Sequence, residues 1–277
     1  VIYDDIGCLM RIPKEYDSML RNNNIKCCTF NRLRPILSSV QNNRDHRKII
    51  SVDGSVVFIG GMNLADEYIN KITLFGYWKD SVFRLEGDGA IGFTRSFIDM
   101  WGRLSGENED IVKYERSPFT GTEAKGYVIP FDESPFDNER TAESLYLSIV
   151  NNAKKNVYIY TPYLMVDDIM ANALTFAAKS GVDVRIITPH IADKKVVHAT
   201  TRSFYAPLIK NGVKIYEYTP GFLHSKLIVA DGKFGVVGSI NMDFRSFNLH
   251  FECGAWICDE KLISEVEEDF LHTVEVS

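Results

Sequence analysis

No apolar run in this 277-residue chain approaches the roughly 18 residues that a membrane-crossing helix needs. No secretory signal is visible either. Cysteine is scarce: Cys8, Cys27, Cys28, Cys253 and Cys258 make an odd count of five, with no Cys-x-x-Cys and no zinc-ligand spacing. That usage points to free thiols in a reducing setting and away from a disulfide framework. There is no excess of positive charge. The net charge of −6 argues against a sequence-independent nucleic-acid binder. What remains, at 45% hydrophobic and 25% charged, is the composition of a soluble globular protein long enough for two domains of ordinary size. The chain opens on Val1-Ile2-Tyr3, which reads as the inside of a strand. The expectation is a fragment of a longer protein.

The chain does contain one pattern twice. His46, Lys48, Asp53, Gly60 and Asn63 recur as His224, Lys226, Asp231, Gly238 and Asn241, every element displaced by 178 residues. Five spacings kept together indicate an internal duplication. Around each copy the sequence predicts strand, tight turn, strand: 46–52, Asp53-Gly54 and 55–61, then 224–230, Asp231-Gly232 and 233–239. A strand precedes each hairpin (24–28 and 212–216). Another follows (80–85 and 251–257), and then a helix (about 88–103 and about 260–271). The second copy has an additional strand over 157–164 and a helix over about 168–179, leading into 182–188. The first copy lacks both.

Strands alternating with helices predict two similar α/β sandwich domains related by a pseudo-two-fold, the first truncated at its N-terminus. The expected domains are 1–118, carrying motif 46–63, and 119–277, carrying motif 224–241. The polar, Gly/Pro-rich stretch 105–140 is the expected connection, with a strand near 127–129 opening the second domain.

Histidine and lysine two apart on a strand share a face, so each motif offers an imidazole beside an ammonium. A two-residue turn would set Ser239 opposite His224 and Gly61 opposite His46, leaving room for a ligand. Asn63, Ser239 and Asn241 are the expected phosphate-binding residues. Asp53 and Asp231 belong to the spacing pattern. They lie at the hairpin tips, roughly 16 Å from the lysines at strand rise, and fit a turn or ion-pair role better than chemistry. A carboxylate on the strand following each hairpin, Asp80 in the first copy and Glu252 in the second, is the expected partner fixing the histidine tautomer. Two such half-sites suit phosphodiester chemistry. One imidazole attacks phosphorus, the other protonates the leaving oxygen, and lysines and asparagines hold the phosphoryl oxygens. This chemistry calls for no metal and no cofactor.

These residues resemble the duplicated HKD motif of the phospholipase D superfamily, and are most similar to bacterial cardiolipin synthases. The likeness rests on Asp45-His46-Arg47-Lys48, Gly60-Gly61-Met62-Asn63-Leu64 with Glu67-Tyr68, residues 218–224 (YTPGFLH) and residues 241–252 (NMDFRSFNLHFE). It implies His46, Lys48 and Asp53 with His224, Lys226 and Asp231 as the catalytic set, His46 being the nucleophile and His224 the acid. It also implies joining of two phosphatidylglycerols into cardiolipin with release of glycerol, at a bacterial membrane, behind an N-terminal anchor. Water as acceptor would make the protein a hydrolytic phospholipase D. A nuclease of the same superfamily and a non-enzymatic lipid binder are the remaining alternatives. Two departures stand out: His250 occupies a position where asparagine is expected, and Gly61 replaces the motif serine. Residues 31–48 carry a net +4, with Arg32, Arg34, Arg44, Arg47 and Lys48 around Pro35-Ile36-Leu37. This segment could engage anionic lipid or stand as a solvated loop.

Overall fold

Every second side chain of the strand Asn156–Tyr160 points to a different core. Val157 and Ile159 enter one apolar cluster, and Tyr158 and Tyr160 enter another. Strands buried on both faces in this way sit at the centre of a sheet covered on each side. The computed structural model describes residues 1–9, 11–33, 39–115, 126–137 and 139–277. It is a mixed α/β fold around an eight-stranded sheet. Its order runs Lys214–Tyr218, Asp183–Pro189, Asn156–Tyr160, Leu227–Ala230, Phe234–Gly238, His250–Cys258 and Arg44–Asp45, with Tyr127–Glu133 also pairing His250–Cys258.

One face is covered by the helices Thr141–Asn152 and Asp168–Lys179, which supply Tyr146, Ile149, Met170 and Leu174. On the other face lie the helices Ala90–Ser105 and Glu260–Glu275, together with Val57 and Ile59 from the first motif's hairpin. The two copies of the motif therefore share one core. Asp167 and Asp259 accept the third backbone N–H into their helices, Met170 and Leu262, and so set where each helix starts. Gly106, in the left-handed region, ends Ala90–Ser105.

The first copy builds a smaller sheet, Ile49–Val52, Val56–Gly60 and Val82–Glu86, beside a separate parallel pair, Ile2–Asp4 and Cys28–Phe30. In the second copy Asn156–Tyr160 joins the corresponding parallel pair to the hairpin. Among the described residues no strand does so in the first copy.

The hairpins differ from expectation by one residue. Val52 pairs with Val56, and Ala230 with Phe234, so three residues turn each corner instead of two. Asp53 and Gly54, like Asp231 and Gly232, adopt positive φ, and the Val52 and Ala230 carbonyls accept from Ser55 and Lys233. A tight turn with an added bulge residue results. Continued by the same count, the ladder would set residue 240, not Ser239, opposite His224, and Met62, not Gly61, opposite His46. The ladders stop at Leu227 and Ile49, so the His-x-Lys segments leave the hairpins altogether.

The three described arginines of the basic segment are paired. Arg44 is buried and binds both oxygens of Asp4 (2.7–3.1 Å), Arg47 holds Asp45 and Ser96, and Arg32 faces Asp17. Arg34 to Leu37 lie outside the described residues, as do 116–125 and 138 of the expected connection. No helix among the described residues is long and apolar enough to cross a membrane.

Candidate active site

Each His-x-Lys segment leaves its own hairpin and docks on the far copy. The strand Arg44–Asp45 runs parallel to the start of His250–Cys258, and the His46 N–H donates to the Phe251 carbonyl at 2.9 Å. Gly221–Leu223 runs parallel to Tyr77–Lys79, and the His224 N–H donates to the Lys79 carbonyl at 2.7 Å. The residue after each accepting carbonyl is a carboxylate. His46 Nδ1 lies 2.9 and 3.0 Å from the two Glu252 oxygens, and His224 Nδ1 lies 2.7 Å from Asp80 Oδ2. The expectation of an in-line partner for each histidine is thus corrected, because the carboxylates are exchanged between copies. Strand exchange causes this. A docked segment meets its host's following strand, not its own.

An ionised carboxylate only accepts, so Nδ1 of each ring carries the proton and Nε2 keeps the lone pair. Burial pushes His46 down to about 4 against the pull of Glu252. Burial and Lys226 push His224 down to about 3 against Asp80. Burial alone would raise the Glu252 carboxyl, but His46, His250 and Lys48 outweigh it and hold it well below the usual carboxylate range.

Both lysines fold back on their own histidines, Lys48 Nζ donating to the His46 carbonyl and Lys226 Nζ to the His224 carbonyl. Burial lowers Lys48 and brings Lys226 down to about 7. Two lysines and two carboxylates thus bring groups of opposite charge to one place.

The remaining candidates divide. Asn241 is buried, donates Nδ2 to Ser246 Oγ at 3.2 Å, and has Oδ1 without a hydrogen-bond partner. Asn63 is exposed and donates to the Tyr68 hydroxyl. Ser239 was expected on the phosphate. Its fully buried hydroxyl instead donates to Glu252 Oε2, supporting the carboxylate that holds His46. Gly61 is the equivalent position, and a Cβ there would stand 2.2 Å from Asp80 Oδ1 and 2.9 Å from the His224 carbonyl. Glycine is what lets Asp80 reach His224.

Asp231 is removed from the reacting end. Its carboxylate accepts the backbone N–H groups of Lys154, Lys155 and Asn156 at 2.7–3.1 Å, tying the hairpin tip to the next strand. Asp53 is exposed at its own tip. The catalytic grouping of both aspartates is corrected accordingly, since the hairpin separates them from the histidines.

Sequence reasoning missed the rings around the histidines. Tyr68 meets the His224 ring edge-on at 5.2 Å between centroids, and Trp78 lies 5.4 Å away. His250 lies 5.6 Å from His46. Trp78 and His250 each precede the exchanged carboxylate by two residues, which was the available signal. Ser81 and Ser225 also join the copies by a hydroxyl–hydroxyl bond of 2.7 Å.

Imidazoles paired with carboxylates between the two motif copies sit on a mixed α/β, phospholipase D-like fold. Residues 146–274 match the family model described as "Cardiolipin synthase, PLD-like domain". The fold is similar to the crystal structure of phosphatidylserine synthase from Haemophilus influenzae, with a TM-score of 0.70 at 16% identity over 97% of this chain and 71% of that one. The chain is thus similar to the phospholipase D superfamily. It is 37% identical to a cardiolipin synthase of Geobacillus thermodenitrificans over 98% of its own length, and 44% identical to an uncharacterised protein of Streptococcus mutans over all of it. It spans 55% and 60% of those relatives' lengths.

Proposed function

We propose that the protein is a phosphatidyltransferase that joins two phosphatidylglycerols into cardiolipin at a bacterial membrane surface. The observation that carries this reading is the pair of imidazoles, each held by a carboxylate from the other copy with its Nε2 lone pair available. The similarity to cardiolipin synthases supports the choice of substrate.

In the first step His46 Nε2 attacks phosphorus and the bond to the glycerol oxygen breaks. His224, protonated as the anionic substrate enters, gives its proton to that oxygen. In the second step a hydroxyl of the other phosphatidylglycerol attacks, His224 takes its proton, and the P–N bond breaks. Substrate arrival favours protonation because the diester adds one negative charge beside a ring that burial otherwise keeps neutral. Lys48, Lys226 and the amides of Asn63 and Asn241 hold the phosphoryl oxygens and stabilise charge developing on them. Glu252 positions the nucleophile and Asp80 the acid. Asp53 and Asp231 shape the hairpins. Residues 1–118 and 119–277 act as two halves of one site.

Vesicles of radiolabelled phosphatidylglycerol incubated with the protein, with lipid products resolved, test this. Cardiolipin and free glycerol are the expected products. Phosphatidic acid as the dominant product would replace the transferase reading with hydrolysis.

A further inference from the structure

The exchanged carboxylates have unequal company. Two residues before Asp80 stands Trp78, packed on His224. Two residues before Glu252 stands His250, packed on His46. On the Glu252 side alone, a second imidazole meets the carboxylate. His250 Nδ1 is 3.5 Å from Glu252 Oε1 and is buried without a hydrogen-bond partner. One ring nitrogen each of His46 and His250 and a Glu252 oxygen all lie within 4.8 Å of one another, and Nδ1 is the nitrogen that each ring turns toward Glu252 Oε1.

We propose that His46, His250 and Glu252 form a binding site for a divalent transition-metal ion of the zinc class, and that an ion there switches His46 off. Two imidazoles and a carboxylate are a donor set zinc accepts, leaving a fourth position for water. Ligand atoms about 2.1 Å from a tetrahedral ion are roughly 3.4 Å apart. The two separations from His46 and His250 to Glu252 Oε1, 2.9 and 3.5 Å, bracket that figure. Glu252 is fully buried and fixed by Ser239, so the rings need only small rotations toward it. Lys48 and Lys226 nearby oppose a further cation, and the Glu252 and Asp80 carboxylates offset them.

The proton bookkeeping gives the consequence. Metal on Nδ1 moves the single proton of each neutral ring to Nε2. Exposed Arg245, which donates to His250 Nε2 at 3.3 Å, swings away. His46 Nε2 becomes an N–H and loses the lone pair that attacks phosphorus. Metal binding stands on geometry alone, whereas the inhibition rests on His46 as nucleophile.

The test titrates the whole protein with zinc against a chromophoric chelator, and with cobalt followed by visible absorption. Expected are one tight equivalent per chain, a cobalt spectrum without a thiolate band, and affinity at least about 100-fold weaker in His250→Asn. Circular dichroism checks that the variant is folded, and Glu252→Gln provides a second ligand loss. Absence of tight binding, a thiolate band, or unchanged affinity in both variants would overturn the site. Zinc should suppress product formation by the parent protein and not by His250→Asn, each read against its own zinc-free rate. Tight binding without suppression would overturn the switch and the nucleophile role of His46 while leaving the metal site in place.

Discussion

Replacing Asp80 by asparagine separates an exchanged arrangement from an in-line one. Asp80 Oδ1 accepts the Ser81 N–H at 2.8 Å, and Oδ2 faces His224 Nδ1 at 2.7 Å. An asparagine keeps its carbonyl oxygen on Ser81, because an NH2 group there would meet another donor. The NH2 then faces His224 Nδ1, which must accept, and the ring proton moves to Nε2. Protonating Nδ1 to form the imidazolium would now oppose two donors, so the ring is lost as a general acid. The same amide-for-carboxylate swap in a Ser-His-Asp triad costs about 10⁴ in rate, or about 5 kcal/mol. Cardiolipin formation by Asp80→Asn should fall by a comparable factor. A p-nitrophenyl phosphodiester has a leaving group that needs no proton. Its first turnover, read as a burst of one p-nitrophenolate per chain, should stay within about ten-fold of the parent rate. Glu252→Gln acts on His46, and should abolish the burst as well as the steady state. A burst kept by Glu252→Gln and lost by Asp80→Asn would refute the assignment of Glu252 to the nucleophile and Asp80 to the acid.

Gly61→Ala drives a methyl into Asp80 Oδ1. The expected result is a loss of at least about 100-fold in rate from the misplaced carboxylate, with a stability loss of about 1–3 kcal/mol. Steady-state kinetics and thermal melting read the two, and parent-like activity would contradict the close approach. Asp231→Ala leaves three backbone N–H groups without their acceptor and should cost about 2–3 kcal/mol in urea unfolding. Its turnover per folded molecule should be unchanged, and a large fall in turnover would return Asp231 to the chemistry. Acid should destabilise the fold through the two histidines. Their folded values, about 4 and about 3, lie below the ordinary 6.5, so their contribution is complete above pH 6.5 and drains away as pH falls toward 3. Each ring adds about 1.4 kcal/mol per pH unit over its window. Urea titrations at pH 6.5 and 5 should show a shallower slope in His224→Asn, and an identical slope would contradict the burial of a neutral ring.

What the sequence made legible was everything carried by spacing. The 178-residue offset disclosed the duplication, alternation located the strands, and Asp-Gly marked both turns. Length and position were less secure where geometry adds a residue that composition does not show. The bulge after Asp53-Gly54 and Asp231-Gly232 shifted each ladder by one, and the ladders end before reaching either histidine. The charge count over 31–48 left the segment's role open, because an arginine reads the same in sequence whether it faces water or, like Arg44 and Arg47, lies on Asp4 and Asp45. The exchange of carboxylates was not legible at all. A linear pattern ties a histidine to the next strand of its own copy, whereas docking of Arg44–Asp45 and Gly221–Leu223 on the opposite copy ties it to the other.

That exchange makes the site a property of the pair. His46 Nδ1 is held by Glu252 and His224 Nδ1 by Asp80, so each histidine takes its orienting carboxylate from the other copy. Any movement that separates the copies breaks both histidine–carboxylate bonds at once, together with the Ser81–Ser225 bond between them. A duplicated chain wired in this way cannot keep one half-site while losing the other. On the proposed mechanism, nucleophile and acid therefore depend on the same interface, and the phospho-histidine would form only where the group that later releases it is also in place.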